Sequence, residues 1–354
     1  MQFINRTHFS SGQKLLSGLF NQIIDFLLNK KEQGYYMLRS PYESGLLHDA
    51  ELPFNIQEVG SKVVLQSIAA ITASGHIIRY KSDNRNFGPK LVVDASSLSN
   101  GNYYIYLSYL GDSIPWISSE AFGKTTREDI RVPRYSLELK PELQPVEYFP
   151  NSLLLGKVEI KDGIANIDRT FFPAVFQLGS FPKGTVLLDQ TKKLWPELEE
   201  VTFKIYRDLR DVPRDSVFAD TRDLAAALTS FLLQNEATVR HFNPKTSLFE
   251  LFKTWGAIAN IFRTYLFDDR LGVRPGDALQ TLYAAATRKG EYEIENHFLS
   301  TIEACAGHCF DRNNATPNIL LIEDMINYVI YSWMANYPIK LPNEKLISIQ
   351  PNKF

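Results

Sequence analysis

Asn151-Ser-Leu-Leu-Leu-Gly-Lys-Val-Glu-Ile-Lys-Asp-Gly-Ile-Ala-Asn-Ile-Asp-Arg-Thr-Phe-Phe-Pro-Ala-Val-Phe-Gln-Leu178 decides how this chain is read. Leu153 to Ile160 is an apolar, branched run of strand length. Lys161-Asp162-Gly163 is turn chemistry, because Asp-Gly supplies a short polar side chain and a residue free to take positive φ. Ile164, Ala165 and Ile167 resume a strand. Phe171-Phe172-Pro173 is an exit, since proline cannot donate to a ladder. Strand patterns dominate before this stretch and helix patterns after it. A domain boundary is therefore expected just beyond Leu178.

Working backwards from the hairpin, Tyr35 to Ile167 carries strand signals. Val63 to Ile71 is one candidate, and Ser74-Gly75 turns it into His76 to Tyr80. Leu91-Val92-Val93 is another. Asn100-Gly101 opens Tyr103 to Tyr109, where Tyr104, Tyr106 and Ser108 share one face and Tyr103, Ile105, Leu107 and Tyr109 the other. Large residues on both faces predict burial on both sides. Tyr135, Leu137 and Leu139 alternate again before Pro141. Short strands with frequent turns predict an N-terminal antiparallel β-sandwich. Ahead of them, Ser10-Ser11 precede a helix to about Lys31. Leu15, Leu19, Ile23 and Leu27 form one apolar row on it, and Leu16, Phe20, Ile24 and Leu28 a second.

Working forwards, Gly179, Pro182 and Gly184 make residues 179–195 read as a connector. Pro196 fits the first position of a helix reaching about Arg210. Asp220 or Thr221 caps the next, ending near Gln234. Ser247-Leu248-Phe249-Glu250 fits a capping box. It opens a helix whose stripe carries Leu251, Trp255, Ile258 and Phe262. Gly276-Asp277 starts another, and Tyr292 to Phe310 holds one more. Thr316-Pro317 caps a last helix carrying Ile322, Ile326, Val329 and Trp333, stopped by Pro338. The expected class is α+β multidomain: a β-sandwich at 1–178, a connector at 179–195, a helical bundle at 196–337 and a tail at 338–354.

Composition sets bounds on function. The 354 residues suit about two domains. Lys+Arg at 38 against Asp+Glu at 40 leaves a net charge of −2, which argues against a general nucleic-acid binder. Two cysteines are too few for a disulfide scaffold and suit a reducing compartment. The N-terminus lacks a basic segment followed by an apolar core, so no signal peptide is expected. No run is apolar for long enough to span a bilayer, so no direct membrane insertion is expected. Asn5-Arg6-Thr7 and Asn314-Ala315-Thr316 match the glycosylation sequon, which has no meaning without secretion.

Chemistry is sparse. Gly123-Lys124-Thr125 ends like a phosphate loop, but Ser118 stands where that motif needs glycine. No dinucleotide glycine pattern or nucleophile elbow occurs. Glu199-Glu200 and Asp268-Asp269 are sequence neighbours and do not face one another on a helix. His241, before Phe242-Asn243-Pro244, reads as a helix-end residue. Cys305, His308 and Cys309 are the nearest approach to a metal set, since on a helix they would share a face. The same pattern is that of small buried residues on a packed helix. Neither a catalytic residue nor a cofactor is expected, so the chain reads as a non-enzyme.

The motifs, in order, resemble the TssK family of type VI secretion baseplate proteins. They are His8 to Leu15, Ser44 to Leu52, Val64 to Tyr80, Tyr103 to Leu107, Pro133-Arg134-Tyr135, Leu153 to Val158 and Asn166 to Ala174. Where the family usually has two prolines after an aromatic or isoleucine, this chain has Pro173 alone. The resemblance implies a cytoplasmic homotrimer at the membrane-proximal baseplate. It implies a shoulder-like β-domain docked on wedge proteins (TssF/TssG-like) and a neck-like bundle that trimerises. Phe3, Phe9, Leu15 and Leu19 are the wedge-docking candidates. Leu251, Trp255, Ile258, Phe262, Ile322, Ile326, Val329 and Trp333 are the trimer candidates. The family's head domain binds a membrane-complex protein; with only the tail after the bundle, no head is expected here. A phage receptor-binding or injection-system baseplate protein is the alternative, and it would need a carbohydrate-binding tip.

Overall fold

The computed structural model describes residues 44–82, 90–113, 132–144, 149–214, 218–267, 292–311 and 314–335. The expected N-terminal helix, Asp268-Asp269, the Gly276-Asp277 helix start, Pro338 and the tail lie outside them.

One sheet is built on β3 (Lys62–Ile71). β1 (Gly45–Leu46) and β2 (Asn55–Val59) lie along one edge of it, and β4 (Ile77–Lys81) and β5 (Leu91–Asp94) along the other. The second sheet runs in the order β7 (Val132–Lys140), β6 (Gly101–Ser113), β8 (Ser152–Lys161), β9 (Ile164–Ile167). All pairings between these strands are antiparallel. The β8–β9 turn is the expected Asp-Gly one, with φ of 53° at Asp162 and 75° at Gly163. Both central residues are left-handed, as the tight hairpin twist demands. Asn100 Oδ1 accepts from the Asp162 N–H at 2.8 Å and fixes the turn from the neighbouring strand entry.

Val63, Leu65, Ile68 and Ile78 of the first sheet join Ile105, Leu107, Val158 and Ile160 of the second in one apolar cluster. β3 alternates buried and half-buried at its start, then is buried on both faces from Ser67 to Ile71. A second, small cluster explains the change. Ala69 and Ile71 turn to Leu47 and Phe176, so a later segment covers the outer face.

The helical part starts earlier than the sequence predicts. α1 (Pro182–Leu209) is one helix of 28 residues, so the expected connector reduces to the turn at 178–181. Pro182 takes the first-turn position that was expected of Pro196. Pro196 lies inside the helix and deprives the Lys192 carbonyl of its usual donor. Burial of Leu187, Leu188, Leu194 and Leu198 on both sides of it holds the helix together. α2 (Ala219–Arg240) begins without a side-chain cap and runs past Gln234, with His241 at its C-cap. α3 (Leu248–Phe267) opens on the expected capping box: Glu250 N–H donates to Ser247 Oγ at 3.0 Å, and Ser247 N–H donates to Glu250 Oε2 at 3.3 Å.

α4 (Tyr292–Gly307) precedes α5 (Ala315–Asp324), a π-helical turn (Met325–Ile330) and α6 (Tyr331–Ala335). Asn314, not Thr316, caps α5, accepting from the Thr316 N–H at 3.0 Å. That leaves Thr316 Oγ1 to accept from Phe172 N–H at 2.9 Å. The π turn buries Met325, Ile326, Val329 and Ile330 together.

Candidate functional site

The eight trimer candidates of the sequence reading do not form a surface. Leu251, Trp255, Ile258, Phe262, Ile322, Ile326, Val329 and Trp333 all lie in one core shared by the helices of a single chain. Trp255 Nε1 donates to Thr191 Oγ1 at 3.2 Å and Trp333 Nε1 to Thr202 Oγ1 at 2.9 Å. Both partners are on α1, whose length the sequence reading underestimated. The wide stripes are thus covered by α1 and by one another, and they need no second copy. Exposed apolar side chains on the helices are instead Val186, Phe203, Leu233, Phe249, Leu320 and Tyr331. The wedge candidates Phe3, Phe9, Leu15 and Leu19 lie outside the described residues.

The metal candidates also separate. α4 ends at Gly307; His308 N–H makes its last helical bond, to the Ala304 carbonyl at 2.9 Å, and Cys309 lies beyond it. Cys305 is buried and Cys309 exposed. Burial pushes the Cys305 thiol up to about 12, which keeps it protonated and a poor ligand at neutral pH. His308 Nε2 lies 3.2 Å from Asn318 Oδ1, and its ring packs on Phe252 with centroids 5.7 Å apart. Asn318 also accepts from Asp311 N–H at 3.1 Å and donates to the Asp311 carbonyl at 2.7 Å. His308 is thereby part of a loop latch. Among the described residues, no three His, Cys, Asp or Glu side chains converge as a metal set. Iodoacetamide should therefore modify Cys309 in the native protein and reach Cys305 only after denaturation, as intact-mass spectra would show. Native modification of both would contradict the burial.

Glu199 and Glu200 diverge as well. Burial, then repulsion from Glu236, raises the Glu199 pKa, whereas the hydrogen bond and charge of Lys204 lower that of Glu200. They do not share a proton. A recess beside Tyr106, Gln144 and Phe149 measures about 10 Å³, room for about one water. Among the described residues no helix is long and apolar enough to cross a membrane.

What the fold does build with care is a strap between its two parts. Residues 172–179 leave β9 and run between the Ser44–His48 segment and the loop that enters α3. On the sheet side, Leu46 N–H donates to the Ala174 carbonyl at 2.9 Å, and Phe176 and Gln177 N–H both donate to the Leu46 carbonyl. On the helix side, Leu178 N–H donates to the Thr246 carbonyl at 2.9 Å and Gly179 N–H to that of Pro244 at 2.8 Å. Leu248 N–H returns to the Phe176 carbonyl at 3.2 Å. Two glycines permit this approach. A Cβ on Gly45, whose φ is +139°, would lie 2.5 Å from the Ala174 backbone; one on Gly179 would lie 2.4 Å from Pro244 Cβ.

His48 and Gln177 complete the strap. Buried Gln177 Oε1 accepts from His48 N–H at 2.7 Å, and His48 Nδ1 donates to the Gly179 carbonyl at 2.8 Å. Neither side chain stood out in the sequence, since the contact spans 129 residues. Gln177→Leu should remove the partner of the His48 N–H and cost about 1–3 kcal/mol in urea unfolding. An unchanged midpoint would show that the strap is dispensable.

No protein-family model matches this sequence, and no curated protein does. Solved structures do. A crystal structure of TssK aligns over 91% of this chain and 69% of its own, with a TM-score of 0.48 at 13% identity. TssK from the type VI secretion system of EAEC, in complex with a nanobody, aligns over 90% of this chain and 100% of its own, at 0.48 and 14%. The chain is similar to TssK. The TssK-TssF-TssG baseplate subcomplex of a type VI secretion system, seen by cryo-electron microscopy, aligns over 92% of this chain and 99% of its own. Its TM-score is 0.43 at 14% identity.

Proposed function

We propose that this chain is a non-enzymatic structural adaptor of a type VI secretion baseplate. The observation that carries the reading is the strap. The stretch Asn166 to Ala174, which resembles the TssK family in sequence, leads directly into the backbone that is bonded to both parts of the fold. An adaptor must transmit position from one contact surface to another, and a doubly bonded strap makes the two parts move as a unit.

In this proposal the two sheets form a shoulder-like sandwich, and the helices from Pro182 onward form a neck-like bundle. The chain acts as a homotrimer. The eight trimer candidates of the sequence are buried within one copy, so the trimer contact falls to exposed apolar side chains such as Val186, Phe203 and Leu233. The N-terminal segment, with Phe3, Phe9, Leu15 and Leu19, docks on wedge proteins resembling TssF and TssG. A membrane-complex protein is a candidate partner on the far side, and the location is cytoplasmic, at the inner-membrane-proximal baseplate.

Co-expression with the TssF- and TssG-like proteins of the same system tests this. The tagged chain is expected to retain both through size-exclusion chromatography. Phe3→Asp with Leu15→Asp is expected to release them while leaving the thermal melt of the sheets and helices in place. Clean separation of the unaltered chain from both proteins would overturn the adaptor reading.

A further inference from the structure

α4 and α5 leave an open groove of about 560 Å³ between their outward faces. Glu303 and Gly307 stand on one wall; Pro317, Leu320, Leu321 and Asp324 stand on the other. On α5 these four recur at i, i+3, i+4 and i+7, so they form a single stripe. Leu320, at the middle of the stripe, is 48% exposed. Nothing lies within 4 Å of where a Cβ on Gly307 would be, so the opposite wall is clear at that height. His308 also lines it, with Nε2 3.2 Å from Oδ1 of the buried Asn318.

The charge pattern says what fits. Among the described residues, the charged side chains lining the groove are Glu303 and Asp324, one on each helix, with no Lys or Arg. An apolar floor between two acidic walls is complementary to an amphipathic helix whose apolar stripe is flanked by basic residues. A second copy presenting the same groove across a two-fold axis would set acid against acid. We propose that this groove docks an amphipathic helix of a partner protein, with apolar side chains on Leu320 and Leu321 and Lys or Arg against Glu303 and Asp324. The site lies on the helical part, away from the N-terminal wedge-docking candidates, and it stands whether or not the adaptor reading does.

The test is fluorescence anisotropy on the full chain with two labelled designed helical peptides. Both carry a leucine stripe; one has lysines at its flanks and the other glutamates. The lysine peptide is expected to bind at least about tenfold more tightly, a preference that fades with added salt. Leu320→Asp is expected to abolish binding. The double variant Glu303→Lys with Asp324→Lys is expected to reverse the preference, a result that no loss of folding could imitate. Leu320 and Glu303 are exposed, so circular dichroism melts should match those of the unaltered chain. No binding of the lysine peptide, equal binding of both peptides, or an unreversed preference overturns the proposal. So does a fall in the particle mass of the chain on Leu320→Asp, which would assign the groove to a second copy.

Discussion

Trp255→Ala is expected to destabilise the helical part by about 3–5 kcal/mol, the range for removing a buried large aromatic. Trp255 is fully buried in α3, at the centre of the core shared by the helices. Its ring meets that of Trp195 edge-on, with centroids 6.3 Å apart. Its Nε1 is the partner of Thr191, a buried hydroxyl on α1. The substitution therefore opens a cavity and also leaves a buried polar group without its donor. Urea unfolding followed by circular dichroism at helical wavelengths reads the loss. A change within about 0.5 kcal/mol, as expected of a surface position, would place Trp255 outside the core. Because the effect is on folding, such a variant cannot serve as a test of self-association.

Gly184→Ala, at the start of α1, should be the more damaging of two superficially mild glycine changes. A Cβ there would lie 2.2 Å from the Leu178 carbonyl oxygen and 2.5 Å from the Phe181 ring. The backbone atom cannot swing aside as a side chain would. Relief requires shifting the turn at Leu178–Ser180, and with it the strap bonds to Thr246 and Pro244. Overpacking of this kind typically costs about 1–3 kcal/mol, and a backbone clash belongs at the upper end. Gly307→Ala is the control, since its Cβ would meet nothing within 4 Å and alanine favours the helix. The pair should differ in melting temperature, Gly184→Ala lower and Gly307→Ala equal or higher. Equal melting temperatures would contradict the packing of the strap against α1.

The hairpin at Asp162-Gly163 was legible because its turn needs two positive φ values and the sequence names the residues that accept them. The capping box at Ser247 was legible for a similar reason, being local chemistry with a fixed offset. The start of α1 was not. Gly179, Pro182, Gly184 and Pro196 read together as a linker, yet each has a separate solution in three dimensions. Pro182 begins the helix, Gly179 and Gly184 allow close contacts, and burial on both sides of Pro196 carries the helix past it.

The apolar stripes expose a different limit. Periodicity shows that Leu251, Trp255, Ile258 and Phe262 are covered, and says nothing about by what. The sequence reading assigned a second copy; the structure supplies α1. The strap could not be read at all, since main-chain bonds between Leu46 and Ala174 leave no trace in side-chain pattern. Only Gly45 and Gly179, with no room for a Cβ, hint at it.

Light scattering on the purified full chain as it leaves a size-exclusion column tests the central claim most directly. A trimeric adaptor predicts a particle of three times 40.4 kDa, stable on dilution through the micromolar range. A well-folded particle of 40.4 kDa at every concentration would contradict it.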